Sequence, residues 1–209
     1  MKTFTKHSGI AAPMLRINID TDAIIPSREM KRVSKSGLGE SLFAGWRYID
    51  RGKDTEILDP GFVLNQPDYA DTSILLAGRN MGCGSSREFA VWALTDYGIR
   101  AIIAPSFGAI FYTNCIRNGL LPIVLDEAVV AELAGQVVND PQQDRLSIDL
   151  AECIVVSPNG QSHPFDIEFV YQRMLMEGLD AIDITMKSIA AINAYSKIDR
   201  EKRSWAYLD

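Results

Sequence analysis

An α/β fold with a parallel core and a smaller antiparallel addition is what this 209-residue sequence predicts. Three observations carry that expectation. Between residues 73 and 138, short apolar runs alternate with helical stretches, the pattern of βαβ units and a parallel sheet. Beyond residue 146 the mode changes to three short strand-like runs, with Pro158-Asn159-Gly160 as a hairpin signal. The composition, 47% hydrophobic and 23% charged, is that of an ordinary globular protein. A chain of this length buries roughly 70% of its unfolded surface as one domain. No linker is visible, so a single domain over residues 1–209 is expected, with a helical extension from about residue 168 to 209.

Taken in order, residues 3–12 alternate weakly and read as an edge strand. Asp20 or Thr21 can cap one helical turn that Pro26 closes. Residues 27–40 form the most basic and polar segment, with Arg28, Lys31, Arg32 and Lys35 within eight residues. Such a run is either a solvated loop or a mobile lid beside an anionic site. Residues 42–49 suggest a short helix, and Pro60-Gly61 and Asn65-Gln66-Pro67-Asp68 mark turns. Ser73-Ile74-Leu75-Leu76-Ala77 is a buried strand, and residues 89–94 begin a helix apolar on nearly every side. That helix stops near Tyr97-Gly98. Strand 100–104, helix 107–118, strand 120–125 and helix 126–138 follow, with Asp126 a plausible cap. The strand-like runs 146–150, 153–157 and 161–165 lead to helix 169–177, stopped by Gly178, and to a last helix over about 182–202.

Chemistry concentrates in Gly78-Arg79-Asn80-Met81-Gly82-Cys83-Gly84-Ser85-Ser86-Arg87-Glu88. A strand, a glycine-rich turn and a helix start make an anion site, because the first backbone N–H groups lack partners and the dipole favours negative charge there. Arg87 adds a planar fork suited to a carboxylate. The same residues admit a plainer reading: Ser85 and Glu88 have capping-box spacing, so Ser85 can simply cap the helix. Two adjacent serines favour function, since a cap needs one. Likewise Asp20-Thr21-Asp22 is either a polar turn or a second wall, with the carboxylates orienting hydroxyls or Arg16.

Several classes are excluded or disfavoured. Gly82-Cys83-Gly84 runs on to Arg87 rather than to a third glycine, and no Gly-Lys-Ser/Thr follows, so a nucleotide is not the favoured anion. A net charge of −6 without a basic block argues against nucleic acid. No apolar run is long enough to span a membrane, and the opening residues 1–6 lack a signal-peptide core, so a cytoplasmic protein is expected. Three scattered cysteines offer no metal spacing; Cys115 and Cys153 read as fillers and Cys83 as structural. The two histidines, His7 and His163, lie far from the serines in sequence, and Gly84-Ser85-Ser86 is not a hydrolase elbow. A serine acting as base needs strong stabilisation of its alkoxide, which loop N–H groups, a helix dipole and Arg87 can supply. Nothing here handles a leaving group. The chain reads as half of an active site.

Gly82-Cys83-Gly84-Ser85-Ser86-Arg87-Glu88 resembles the signature of the aconitase-superfamily swivel domain, closest to the small-subunit family of isopropylmalate isomerases. The resemblance extends to residues 18–26, to Ser41-Leu42-Phe43 with Trp46-Arg47-Tyr48, and to Asn114-Cys115 with Asn118-Gly119-Leu120-Leu121-Pro122-Ile123. It implies the swivelling β/β/α domain, and a hydro-lyase that interconverts 2- and 3-isopropylmalate in leucine biosynthesis. By the same resemblance Ser85 is the base, and Ser86 and Arg87 hold a substrate carboxylate. Arg16, Asp20, Thr21 and Asp22 lie near the substrate, and the basic segment 27–39 is a flexible loop linked to substrate choice. The partner implied is a large subunit, in a heterodimer or heterotetramer, carrying a [4Fe-4S] cluster. This chain itself is expected to bind no metal or cofactor.

The sequence departs from the family pattern in three places. Phe89 stands where His is usual, Val91 where Pro is common, and Pro26-Ser27-Arg28-Glu29-Met30 differs from the usual Pro-Lys-Gln-Phe. A methylmalate or dimethylmalate therefore competes as substrate. A non-catalytic binding subunit and a stand-alone carboxylate- or phosphate-binding enzyme are the alternatives from other classes.

Overall fold

The computed structural model describes residues 1–30, 34, 36–51 and 56–207. Its centre is a seven-stranded sheet. The strands are β1 (Lys6–Met14), β4 (Thr72–Ala77), β5 (Ala101–Ala104), β6 (Leu121–Val124), β7 (Leu146–Asp149), β8 (Ile154–Val156) and β9 (Ser162–Pro164), in the order β6-β5-β4-β1-β7-β8-β9. The first four run parallel, and β7 to β9 are antiparallel. A separate ribbon pairs β2 (Tyr48–Arg51) with β3 (Glu56–Leu58). The two halves follow from the connections: helices cross over between the parallel strands, whereas tight turns join β7, β8 and β9.

The strand expected at the edge is instead central. β1 joins the parallel half through β4 and the antiparallel half through β7. Its pattern misleads because Gly9, Ile10, Ala11 and Ala12 are all buried, so both faces are covered and little alternation survives.

Two apolar layers sandwich the parallel strands. On one face, Ala12, Leu75, Ala77 and Ile102 pack against α3 (Glu88–Tyr97) and Phe111 and Cys115 of α4 (Ala109–Arg117). On the other, Ala11, Ile74, Leu76 and Ile103 meet Val130, Leu133 and Val137 of α5 (Glu127–Val137), with Met174 and Leu175 of α6 (Phe169–Glu177). Alternate residues of one strand thus serve opposite cores. The outer strands approach each other: Val124 of β6 and His163 and Pro164 of β9 line one cavity of about 340 Å³.

Smaller elements also differ from expectation. The helix expected over 42–49 is the single turn α2 (Ala44–Arg47), which feeds β2. Asp126 occupies the cap position of α5 without a side-chain cap bond. The last helix is two: α7 (Ala181–Met186) and α8 (Ile189–Lys202). Asp180 and Asp183 form a capping box that starts α7, and Lys187 and Ser188 separate it from α8. Among the described residues no helix is long and apolar enough to cross a membrane.

Candidate functional site

Because β1, β4 and β5 are parallel neighbours, the loops that follow them leave the same edge of the sheet, where open α/β sheets place their ligands. These loops are stitched together by backbone. Asn18 N–H donates to Arg79 O (2.9 Å), Gly82 N–H to Ile19 O (2.7 Å) and Thr21 N–H to Cys83 O (3.0 Å). From the third loop, Ser106 O accepts from Met81 N–H (3.0 Å), and Gly108 N–H returns a bond to Met81 O (2.9 Å). Ser106 Oγ also accepts from Asn80 N–H (2.9 Å), and Asn80 Nδ2 donates to Asn18 Oδ1 (2.8 Å). The result is a shelf of three short segments.

Two glycines give the shelf its shape. Gly82 has φ +73°, and an added Cβ would stand 2.1 Å from Cγ of the buried Phe111 ring. Gly84 has φ +91° and turns the chain outward just before the serines. Ser85 and Ser86 are consequently exposed, and among the described residues their hydroxyls have no protein partner. Ser85 is nonetheless fixed by its backbone, whose N–H donates to the buried Thr21 Oγ1 (3.2 Å).

The capping box of the plainer reading does not form. The helix α3 starts only at Glu88, with Arg87 at the cap position and no side-chain cap. Glu88 Oε1 instead accepts from Asn118 Nδ2 (2.7 Å), and Asn118 Oδ1 accepts from Trp92 Nε1 (3.0 Å). The reason is geometric: Gly84 turns the chain, Thr21 holds Ser85, and Arg87 is still extended (φ −83°, ψ 111°). Helical geometry is postponed beyond both serines. At the start of α3 the N–H groups of Glu88 and Phe89 have no backbone partner among the described residues, whereas Ala90 N–H donates to Arg87 O (3.3 Å).

The Asp20-Thr21-Asp22 segment forms the helical turn α1 (Thr21–Ile24) and serves three ends. Asp20 caps it, accepting from Ala23 N–H at 2.7 Å, so the plain turn reading holds for this carboxylate. Thr21 anchors Ser85. Asp22 makes an ion pair with Arg87 and accepts from Ser27 Oγ (3.0 Å). Arg87, then Ser27, hold the Asp22 carboxyl below the usual carboxylate range. Arg16 lies on the same edge, exposed, its guanidinium stacked 4.7 Å over Trp46.

Of the segment expected to be a lid, Lys31, Arg32 and Lys35 lie outside the described residues. Arg28 is exposed, with Nε 3.4 Å from Glu29 Oε1, and it is not brought onto the shelf. Phe89, where the resemblance implies a usual His, is half-buried and packs on Trp92, ring centroids 4.8 Å apart. The third loop, with Ser106 and Phe107, was not foreseen as part of the site. Its signal was available: any loop after a strand of the same parallel sheet belongs at this edge.

Among the described residues no three His, Cys, Asp or Glu side chains gather as a metal would need. Cys115 is fully buried in the apolar layer, and burial pushes its thiol well above its ordinary value, which suits a neutral filler rather than a thiolate ligand. The residues present do not fit an iron–sulfur cluster.

A swivel-type sheet with a serine–serine–arginine shelf at a helix start defines the aconitase C-terminal domain class. The family of that description, the aconitase C-terminal domain, matches residues 1–128. The chain is 57% identical over 209 residues to the 3-isopropylmalate dehydratase small subunit of Cupriavidus necator, covering 100% of both chains. It is 47% identical over 212 residues to the protein of that name from Neisseria meningitidis, covering 99% of each. A crystal structure of 3-isopropylmalate dehydratase from Methanocaldococcus jannaschii superposes with a TM-score of 0.65 at 27% identity, covering 90% of this chain and 99% of that one. The chain belongs to the family of 3-isopropylmalate dehydratase small subunits.

Proposed function

We propose that this chain is the small subunit of a heteromeric hydro-lyase that isomerises 2- and 3-isopropylmalate by dehydration and rehydration in leucine biosynthesis. The observation that carries the reading is the pairing of full-length relatives of that name with an open shelf where two unpaired hydroxyls stand beside a guanidinium. The partner is a separately encoded large subunit, in a heterodimer or heterotetramer, and the setting is the cytoplasm. A [4Fe-4S] cluster, held by that subunit and by no residue of this chain, would supply Lewis acidity.

On this chain, Ser85 takes the proton next to a substrate carboxylate. Its backbone is tied to Thr21, so the hydroxyl stands at a defined place on the shelf. Arg87 and Ser86 hold that carboxylate with charge-assisted hydrogen bonds, aided by the first N–H groups of α3. Before substrate arrives, Asp22 occupies the guanidinium. A substrate carboxylate therefore shares or displaces an internal one, and Asp22 loosens from Arg87 as it enters. Ser85 acts as its alkoxide, its own proton released to solvent beforehand and the charge faced by these donors, and taking the substrate proton restores the hydroxyl.

A related 2-alkylmalate is the second reading for the substrate, favoured by the local change at Phe89, which replaces an imidazole with an apolar ring against Trp92. Anaerobic co-purification with the large subunit, followed by assay on a panel of 2-alkylmalates, separates the two. Preference for isopropylmalate supports the first reading, and preference for methylmalate or dimethylmalate overturns it.

A further inference from the structure

We propose that the groove between the starts of α4 and α6 is a docking site for the large subunit. It seats an apolar side chain of that subunit, with a basic residue beside it facing Glu168. This rests on the reading of the chain as a small subunit. The groove encloses about 370 Å³ and is lined by Pro105, Phe107, Tyr112, Val124 and Tyr171, with Glu168 on its margin. Its wall is aromatic: Phe107 meets Tyr112 edge-on at 5.9 Å, and Tyr112 meets Tyr171 at 6.3 Å. Val124 on the wall is 45% exposed, and Ile110, Phe169 and Val170, next in sequence to the lining residues Ala109, Glu168 and Tyr171, are 57%, 73% and 55% exposed. Single exposed apolar residues need no explanation, but one on the wall and three on the first turns of the two helices that flank it make a patch of the kind that partners cover.

Continuity with the shelf identifies the partner. Ser106 lines the groove, and its hydroxyl accepts from Asn80 N–H on the shelf at 2.9 Å. Phe107, on the groove wall, pairs by backbone with Met81, the residue just before the shelf glycines. A subunit that covers the shelf to complete the active site therefore meets the groove in the same contact. A stable interface needs about 800 Å² from each partner, with an apolar, aromatic core beside polar margins. The shelf supplies the polar part and the groove the apolar anchor. The apolar residues of α8, including Ile192, Tyr195 and Ile198, are also exposed, but that helix shares no residue with the shelf.

The test measures binding separately from turnover, with the cluster-loaded large subunit immobilised under anaerobic conditions. Phe169→Glu and Val124→Glu are expected to weaken its binding by about 10-fold or more, the scale of an anchor residue. At saturating small subunit, kcat should stay within about twofold of wild type, since neither residue touches substrate. Trp205→Glu, at the far end of the chain, should bind as wild type. Thermal melts check folding; should Val124→Glu melt early, Phe169→Glu carries the result alone. Wild-type affinity in both groove variants overturns the docking site while leaving the small-subunit reading intact. Failure of the wild-type chain to bind the large subunit sinks that reading and the docking site with it. Loss of self-association in the groove variants with unchanged large-subunit affinity also overturns the inference, assigning the groove to a second copy.

Discussion

Ser85 is the base of the proposed reaction, and that role sets testable magnitudes. Replacing a positioned proton acceptor costs about 100- to 10,000-fold in rate, so Ser85→Ala should show that loss in kcat of the reconstituted complex at unchanged subunit affinity. Arg87→Ala removes charge-assisted bonds worth about 1.5–3 kcal/mol, and steady-state kinetics should report it mainly as a KM raised about 10- to 100-fold. Full turnover by either variant removes that residue from the mechanism. His7 makes a separate prediction about pH. It is half-buried, with Nε2 2.8 Å from Ser73 Oγ. Burial first, then Arg100 and Lys2, lower its pKa from 6.5. The unfolded chain thus binds the proton more readily, so the contribution of neutral His7 is complete above 6.5 and lost as pH falls through that value toward the folded pKa. The melting temperature should decline on acidification below about 6.5, and His7→Gln should flatten that limb; identical pH profiles would refute the assignment.

At the scale of elements, the start of α3 decides whether the shelf exists. A helix begun at Ser85 would spend its hydroxyl as a cap; begun at Glu88, it leaves both serines outside. Gly82 underpins that arrangement, because the buried Phe111 ring lies where a side chain would be and the backbone is left-handed. Gly82→Ala should therefore cost about 2–4 kcal/mol in urea unfolding, combining overpacking with backbone strain. A loss below about 0.5 kcal/mol, the range of an ordinary surface change, would show that the ring yields freely. The helix starts and stops were mostly legible. Gly98 and Gly178 end α3 and α6 with positive φ, as glycine placement implies. The split between α7 and α8 was not, since the residues from Met186 to Ile189 include neither Gly nor Pro.

For the whole molecule, two apolar layers share one sheet, whereas the C-terminal helices stand largely outside them. In α7 and α8 only Asp199 is buried, clasped by Arg203 through two bonds of 2.7 Å. Deleting residues 181–209 should accordingly leave one cooperative transition, with a melting temperature within about 4 °C of the full chain. A much larger drop measured by calorimetry would mean that these helices support the core.

The sequence by itself determined the alternation of strands and helices, the antiparallel tail and the composition of the serine–arginine segment. Glycine placement, apolar runs and turn residues are local signals, and each acts within a few positions of where it is read. Only the tertiary structure decided that β1 lies at the centre, that Thr21 holds Ser85, that Asp22 pairs with Arg87, and that the loop after β5 closes the shelf. Those relations join residues 25 to 143 positions apart, and strand pairing across such distances follows from which faces can be buried together, a property of the assembled sheet.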